Sequence, residues 1–509
     1  MILKNKYNLA LAGLIALTAS TAFGDDQALI DALVRKGILT QKDAEKIESE
    51  VSKNPTVVTT PSSPLKLAPW IKELKLSGDL RLRYQFDEEQ RQEPSGPNSS
   101  GTNHVAQRSR WRFRLRLNAE LKFDSGFFGG FSLTTNNAAD SGNQTYSGGF
   151  QNYNIYINKA FLGWNGYPGL TIIAGKQDNP FYTTDMFWDP DIYPQGLVER
   201  IDFDKLFGWN SAGEPVSYSK DGKTPPPAPV KHHSAFELSL IAGQFIFYDN
   251  NEYQFDSDLK VDSFLFEEQL LARYKTDSFS ISFGPSLLIA NAGAYGHDSA
   301  LPPAKADPLV FTNGLGEERD LFVVLAPGDI TIRPGGIPIK FYWDFAYNFE
   351  GGERYTLLGT PGQVGQRTGL TQPAPGLFSG YVLNAAGNVI ALTNPAAVSD
   401  RDKMAWLVGL KIGDNKKAGD FSAYVDYRQV GVAAIDPNLT NDDMMNGRLN
   451  YQGFSFGVSY SVTDFFILGV SSVIDWNLKN LYGGQVTRGS GIADDNSWHY
   501  VRVDALLKF

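Results

Sequence analysis

Arginine stands at every second position in "RSRWRFRLRLNAELKF" (108–123), giving Arg108, Arg110, Arg112, Arg114 and Arg116, and "LKLSGDLRLRYQF" (74–86) adds Arg81 and Arg83 at the same step. Such a column of guanidinium groups acts through charge, by setting which ions stay near it. A second charged group, Asp178, Asp185, Asp189 and Asp191, lies in "AGKQDNPFYTTDMFWDPDIYPQGL" (174–197). Nucleophilic or acid–base chemistry finds less support. It would need a Ser/His or Asp/His constellation, and the five histidines are His104, His232, His233, His297 and His499. Adjacent residues on a strand point to opposite faces, so His232 and His233 read as solvated loop residues rather than a metal pair. The 509 residues contain no cysteine, which excludes catalytic thiols, cysteine metal sites and a disulfide frame. No catalytic residue, metal or cofactor is expected.

The element that aligns these arginines follows from geometry. On a helix, positions two apart are rotated by about 200° and the five would scatter around the cylinder. On a strand they form one row, with Trp111, Phe113, Leu115, Leu117, Ala119 and Leu121 opposite. Taken alone, this stretch also fits a soluble sheet that buries its apolar row and solvates its arginines. The rest of the chain decides between the two.

The first 24 residues read as a secretory signal: Lys4 and Lys6, an apolar core from Leu9 to Leu17, then Ala22-Phe23-Gly24, with cleavage expected before Asp25. That core is too short to span a membrane as a helix, and no later segment offers some twenty unbroken apolar residues. The net charge of −10 argues against a general nucleic-acid binder. Aromatic residues make up 13% of the chain and glycines number 50, as suits many strands joined by many turns. An exported chain without helical spans can still enter a membrane as a closed barrel.

Residues 25–53 predict a helical hairpin. "DDQALIDALVRKG" ends at Gly37, and Thr40 caps "QKDAEKIESEV". It is read either as a small self-associating element or as a periplasmic anchor or oligomerisation device. A Pro/Thr/Ser linker follows over 54–73. From residue 74 to 509 the period is two, as in "IKFYWDFAYNF" (339–349) and "FSFGVSYSV" (454–462), with apolar and aromatic residues on one face and polar ones on the other. Tight turns at 276–278, 334–336, 414–419 and 463–464 alternate with long joins at 291–319, 351–401, 435–447 and 478–496. Outer-membrane barrels show this alternation of short periplasmic turns and longer external loops. With both termini periplasmic the strand number must be even, so a strand is expected between 177 and 234, with "GLVERIDF" (196–203) the best candidate. The expected fold is all-β, a transmembrane antiparallel barrel of about sixteen strands. Glu268 falls on its lipid face, and 207–233 makes a long periplasmic turn.

The chain ends "WHYVRVDALLKF", an alternating tail closed by Phe509 that looks like the signal read by the barrel-assembly machinery. With "GDLRLRYQ" (78–85), the arginine-rich second strand and 174–197, it resembles the putative porins of Gram-negative outer membranes over roughly residues 70–509. The resemblance implies a cell outer-membrane channel that passes small hydrophilic solutes and ions. It also implies a homotrimer in contact with outer-membrane lipid, and a third external loop that folds into the barrel and narrows it. That loop would begin after strand 169–176. On this reading Arg81, Arg83, Arg108, Arg110, Arg112, Arg114 and Arg116 line the pore. Asp178, Asp185, Asp189 and Asp191 bring counter-charge from the constriction loop, so the two groups set a transverse field. Tyr182, Phe187, Trp188 and Tyr193 are expected to pack the loop on the wall. Two alternatives are a conduit barrel housing a partner protein and an outer-membrane barrel hydrolase.

Overall fold

The computed structural model describes residues 67–92, 103–138, 141–209, 235–248, 263–291, 321–351, 400–478 (432, 437 and 438 excepted) and 495–509, with short strand pieces at 95–96, 99–100, 381–383 and 389–392. The expected signal segment (1–24), helical hairpin (25–53) and linker as far as residue 66 lie outside the described residues, as do residues 210–234 with His232 and His233, and His297.

Alternating sequence becomes sixteen spanning strands. They are β1 (Ile71–Gln92), β2 (Asn103–Phe123), β3 (Phe127–Thr135), β4 (Ile155–Tyr167), β5 (Leu170–Lys176) and β6 (Gln195–Asp202), then β7 (Ala235–Tyr248) and β8 (Ser263–Lys275). β9 runs as Phe279–Phe283 and Ser286–Asn291, and β10 as Leu321–Leu325 and Gly328–Ile332. The last six are β11 (Ile339–Asn348), β12 (Met404–Gly413), β13 (Phe421–Val430), β14 (Tyr451–Ser461), β15 (Phe466–Asn477) and β16 (Asp495–Lys508). Each pairs antiparallel with its sequence neighbours, and β16 pairs back onto β1 from Asp79↔Lys508 to Arg91↔Asp495. The sheet therefore has no edge, which lets every backbone polar group be satisfied within the barrel wall.

The strand expected between 177 and 234 is β6, one residue earlier than read from the sequence. β9 and β10 each break near the same level, at Gly284-Pro285 and Ala326-Pro327. A proline has no N–H to give the ladder, so its neighbours bridge instead, with Gly284 N–H donating to Pro327 O at 3.0 Å. Tight turns fall where expected at 276–278, 334–336, 414–419 and 463–464.

Side-chain exposure follows the two-residue period. Trp111, Leu117, Phe131, Leu162, Leu270, Phe341, Val425, Phe456, Val458, Val470 and Val503 stand exposed on the outer face of successive strands. Asp79, Arg83, Arg112, Arg114, Glu267, Asp344, Asp426 and Arg502 are buried on the inner one. The barrel is thus apolar outside and charged inside, the inverse of a soluble protein. Glu268 is exposed on the outer face opposite Ala242 and Leu287, as its parity requires. The chain ends across β1: Gly78 and Phe509 exchange backbone hydrogen bonds of 2.7 and 3.1 Å. A Cβ at Gly78 would meet the Arg116 carbonyl oxygen at 2.5 Å and the Phe509 ring at 2.6 Å, so glycine lets both come close.

Candidate functional site

β1, β2 and β16 are neighbours, and their registers stack the basic residues into a ladder. Arg81 lies opposite Arg114, Arg83 opposite Arg112, and Gln85 between Arg110 and Arg502. All seven arginines singled out in the sequence share the inner face of β1 and β2. An eighth, Arg502, comes from β16. It alternates with the outward Val501 and Val503, and that period-two signal marks it as inward.

Most of the counter-charge comes from the wall itself, which differs from the expectation that a loop supplies it. Asp79 takes Arg114 at 2.9 Å and Arg116 at 2.7 Å, and Asp87 takes Arg108 at 3.1 Å and Arg110 at 3.0 Å. Asp504 holds Arg83 through two parallel bonds of 2.7 and 2.8 Å, the fork geometry that guanidinium and carboxylate share. The reason is parity: Asp79, Asp87 and Asp504 sit at even steps from the arginines on the same strands. Adjacent like charges in a buried wall would otherwise repel strongly.

The third loop (177–194) packs against the inner face of the wall. Its apolar side packs on the wall away from the ladder, where Phe181, Met186, Phe187 and Trp188 meet Val198, Ile241 and Phe245. Gln269 of β8 clamps the loop backbone, accepting from Tyr182 N–H and donating to Tyr182 O, each at 2.8 Å. Asp344 of β11 accepts from the Thr184 hydroxyl at 2.7 Å, and the Tyr182 hydroxyl donates to Asp329. Burial, then that hydrogen bond, pushes the Tyr182 hydroxyl well up from its ordinary value. Tyr193 instead faces the ladder, its hydroxyl accepting from Arg116 at 3.3 Å.

A second loop, 431–450, also turns inward, where the sequence predicts only a long join over 435–447. It grips the third loop at Asp189 N–H to Leu439 O (2.7 Å), Thr440 Oγ1 to Met186 O (2.6 Å) and Asn441 Nδ2 to Asp185 (3.0 Å). Its own Met444, Met445 and Leu449 are buried. A run of buried apolar residues in a polar loop was the available signal.

The four aspartates of the 177–194 loop therefore separate. Asp191 reaches the ladder, 3.5 Å from Arg114 and 3.6 Å from Arg116. Asp178 pairs with Lys159 of β4 at 2.8 Å, and Asp185 with Arg428 of β13 at 3.0 Å, both away from the ladder. Asp189 accepts loop N–H groups from Asp191 at 2.7 Å and Asp442 at 3.4 Å. Burial, then the charge of Asp442, pushes its carboxyl up to about 9. Asp443 behaves oppositely. Burial alone would raise it, but the charges of Arg502 and Arg83 outweigh burial and hold it well below the usual carboxylate range.

Between ladder and loops lies a cavity of about 220 Å³, lined on one side by Arg81, Arg83, Arg112, Arg114, Arg116 and Arg502, and on the other by Asp189, Asp191, Asp442 and Asp443. Among the described residues, two guanidinium groups on its basic side have no carboxylate within ion-pair distance. Arg81 donates only to Asn143 Oδ1, at 3.2 and 2.6 Å. Arg112 donates to Gln85, to Ser141 Oγ and to the carbonyl of Asn143, each at 3.3 Å. Among the described residues no group of three or more metal-ligating side chains occurs.

Residues 59–281 match the family model described as "Putative porin". A search of curated proteins found no match. Among solved structures, OmpF of Salmonella typhi in complex with daunomycin aligns at TM-score 0.40 and 10% identity, over 86% of this chain and 97% of that one. An anion-selective porin from Comamonas acidovorans aligns at TM-score 0.37 and 10% identity, over 86% and 99%. OmpT of Vibrio cholerae lacking its loop L8 gives 0.37 and 10% over the same shares. At such scores these likenesses carry no functional inference. What stands is the wall, the inward third loop and the family match together: residues 59–281 carry the pattern of the putative porin family, on a porin-type barrel.

Proposed function

We propose that the chain is an outer-membrane porin, a water-filled channel through which small hydrophilic solutes and ions diffuse, with a preference for anions. The observation that carries this reading is the inversion of polarity. A closed barrel exposes an apolar belt and encloses a charged wall with two loops folded toward it. Exposed apolar area on that scale belongs against lipid. Fixed charge around a constriction selects passing ions by sign. Screening confines such charge to about 8–10 Å at physiological salt, so the ladder outweighs the chain's overall −10. The loop aspartates oppose the arginines and keep the preference modest.

The same reading has the 1–24 segment direct export, the barrel-assembly machinery recognise Phe509, and three copies assemble in the membrane. No catalytic group, metal or cofactor enters it. Two loops already fill interior space that a sheathed partner protein would need, which counts against a conduit.

Purified full-length protein in a planar bilayer tests the proposal. Stepwise conductance that scales with salt supports a pore. Insertion without conductance would favour a conduit or a hydrolase.

A further inference from the structure

Eight arginines face one another across β1, β2 and β16, and six of them meet a carboxylate. The exceptions are Arg81 and Arg112, whose guanidinium heads converge on one residue: Arg81 on the Asn143 side chain and Arg112 on the Asn143 carbonyl. They are diagonal neighbours on paired strands, about 7–8 Å apart at the backbone. Arg112 is buried, and its Nε has no hydrogen-bond partner. Neutral amide and hydroxyl dipoles satisfy part of each fork, and among the described residues no carboxylate forms a direct ion pair with either head.

We propose that Arg81 and Arg112 form a binding site for a small oxyanion, a carboxylate or a phosphate, at the cavity between the ladder and the loops. Guanidinium presents paired N–H groups at the spacing of oxyanion oxygens, so two converging forks recognise that class better than they do a spherical halide. Asn143 and Ser141 fix both heads in place, which lowers the entropy lost on binding. The cavity, about 220 Å³, is smaller than the roughly 300–1,000 Å³ of pockets that take drug-sized ligands. Asp191, Asp442 and Asp443 on its far side present like charge to anything long and negative at both ends. The solute is therefore compact. This inference rests on the pore reading and deepens it: transport of such an anion saturates instead of rising in proportion to concentration.

Two measurements on the full chain separate this inference from the pore reading. Detergent-folded barrel is titrated calorimetrically with inorganic phosphate and, separately, with acetate, and chloride current in a bilayer is followed as each is added at constant ionic strength. The site predicts saturable heat and saturable reduction of chloride current. An effect of phosphate alone assigns the site to phosphate, and comparable effects of both assign it to small oxyanions in general. Charge-assisted hydrogen bonds contribute about 1.5–3 kcal/mol each, so Arg81→Gln or Arg112→Gln raises the half-saturating concentration by about tenfold or more. Arg81→Lys keeps the charge and the fold of the wall but loses the fork, and weakens binding in the same direction. Absence of heat with both probes, together with chloride current that neither reduces, overturns the site even if the channel prefers anions. Saturable heat in a barrel that does not conduct would instead overturn the pore reading and leave the site standing.

Discussion

Arg428 shows at the residue scale what a charge inside this barrel requires. It is almost wholly buried, with Asp426 on its own strand and Asp185 on the third loop each 3.0 Å away. Removing one partner of such a buried set costs about 3–5 kcal/mol, because the remaining charges lose their compensation. Arg428→Ala is therefore expected to release the third loop from β13, read as increased current noise and as protease cleavage within 177–194. Asp189 gives a pH dependence. Its carboxyl titrates at about 9, raised by burial and Asp442, so it is neutral at pH 7 and ionises above 9. The added negative charge faces the ladder, so anion preference declines as pH rises from 7 to 10. Asp189→Asn should flatten that decline, measured as reversal potential against pH. The arginines of the ladder were legible in the sequence because strand parity is a strict rule. Their partners Asp79, Asp87 and Asp504 obey the same rule and were equally readable. Which loop aspartate meets which cation was not, since loop paths depend on packing against strands far away in the chain.

Elements carry the argument from sidedness to a closed wall. β6 was readable from a count, because antiparallel closure with both ends on one side demands an even number of strands. The breaks in β9 and β10 follow from Pro285 and Pro327. The inward course of 431–450 depends on contacts with the third loop, such as Thr440 to Met186, that no local pattern specifies. Closure itself depends on the last strand reaching Gly78. A side chain there would collide with the Phe509 ring, at 2.6 Å for the first carbon alone. Gly78→Val and deletion of Phe509 are therefore both expected to lower the yield of assembled barrel while synthesis continues, scored by heat-modifiable mobility of membrane fractions. Equal yields of assembled wild type and variants would remove the role given to this junction.

At the scale of the whole molecule, a charged interior and an apolar exterior describe a protein solvated by lipid outside and water within. Spin labels at 111, 113, 115 and 117 should report lipid contact, and water contact there would reverse the faces of β2. The central claim is that the arginine ladder sets the sign of the current. Its most direct test is the zero-current potential in a potassium chloride gradient, for wild type and for a variant carrying Arg110→Gln, Arg112→Gln and Arg114→Gln. The account predicts a wild-type potential of the anion-preferring sign and a clear shift toward cations in the variant. A cation-preferring wild type, or a conducting variant with an unchanged potential, would contradict it.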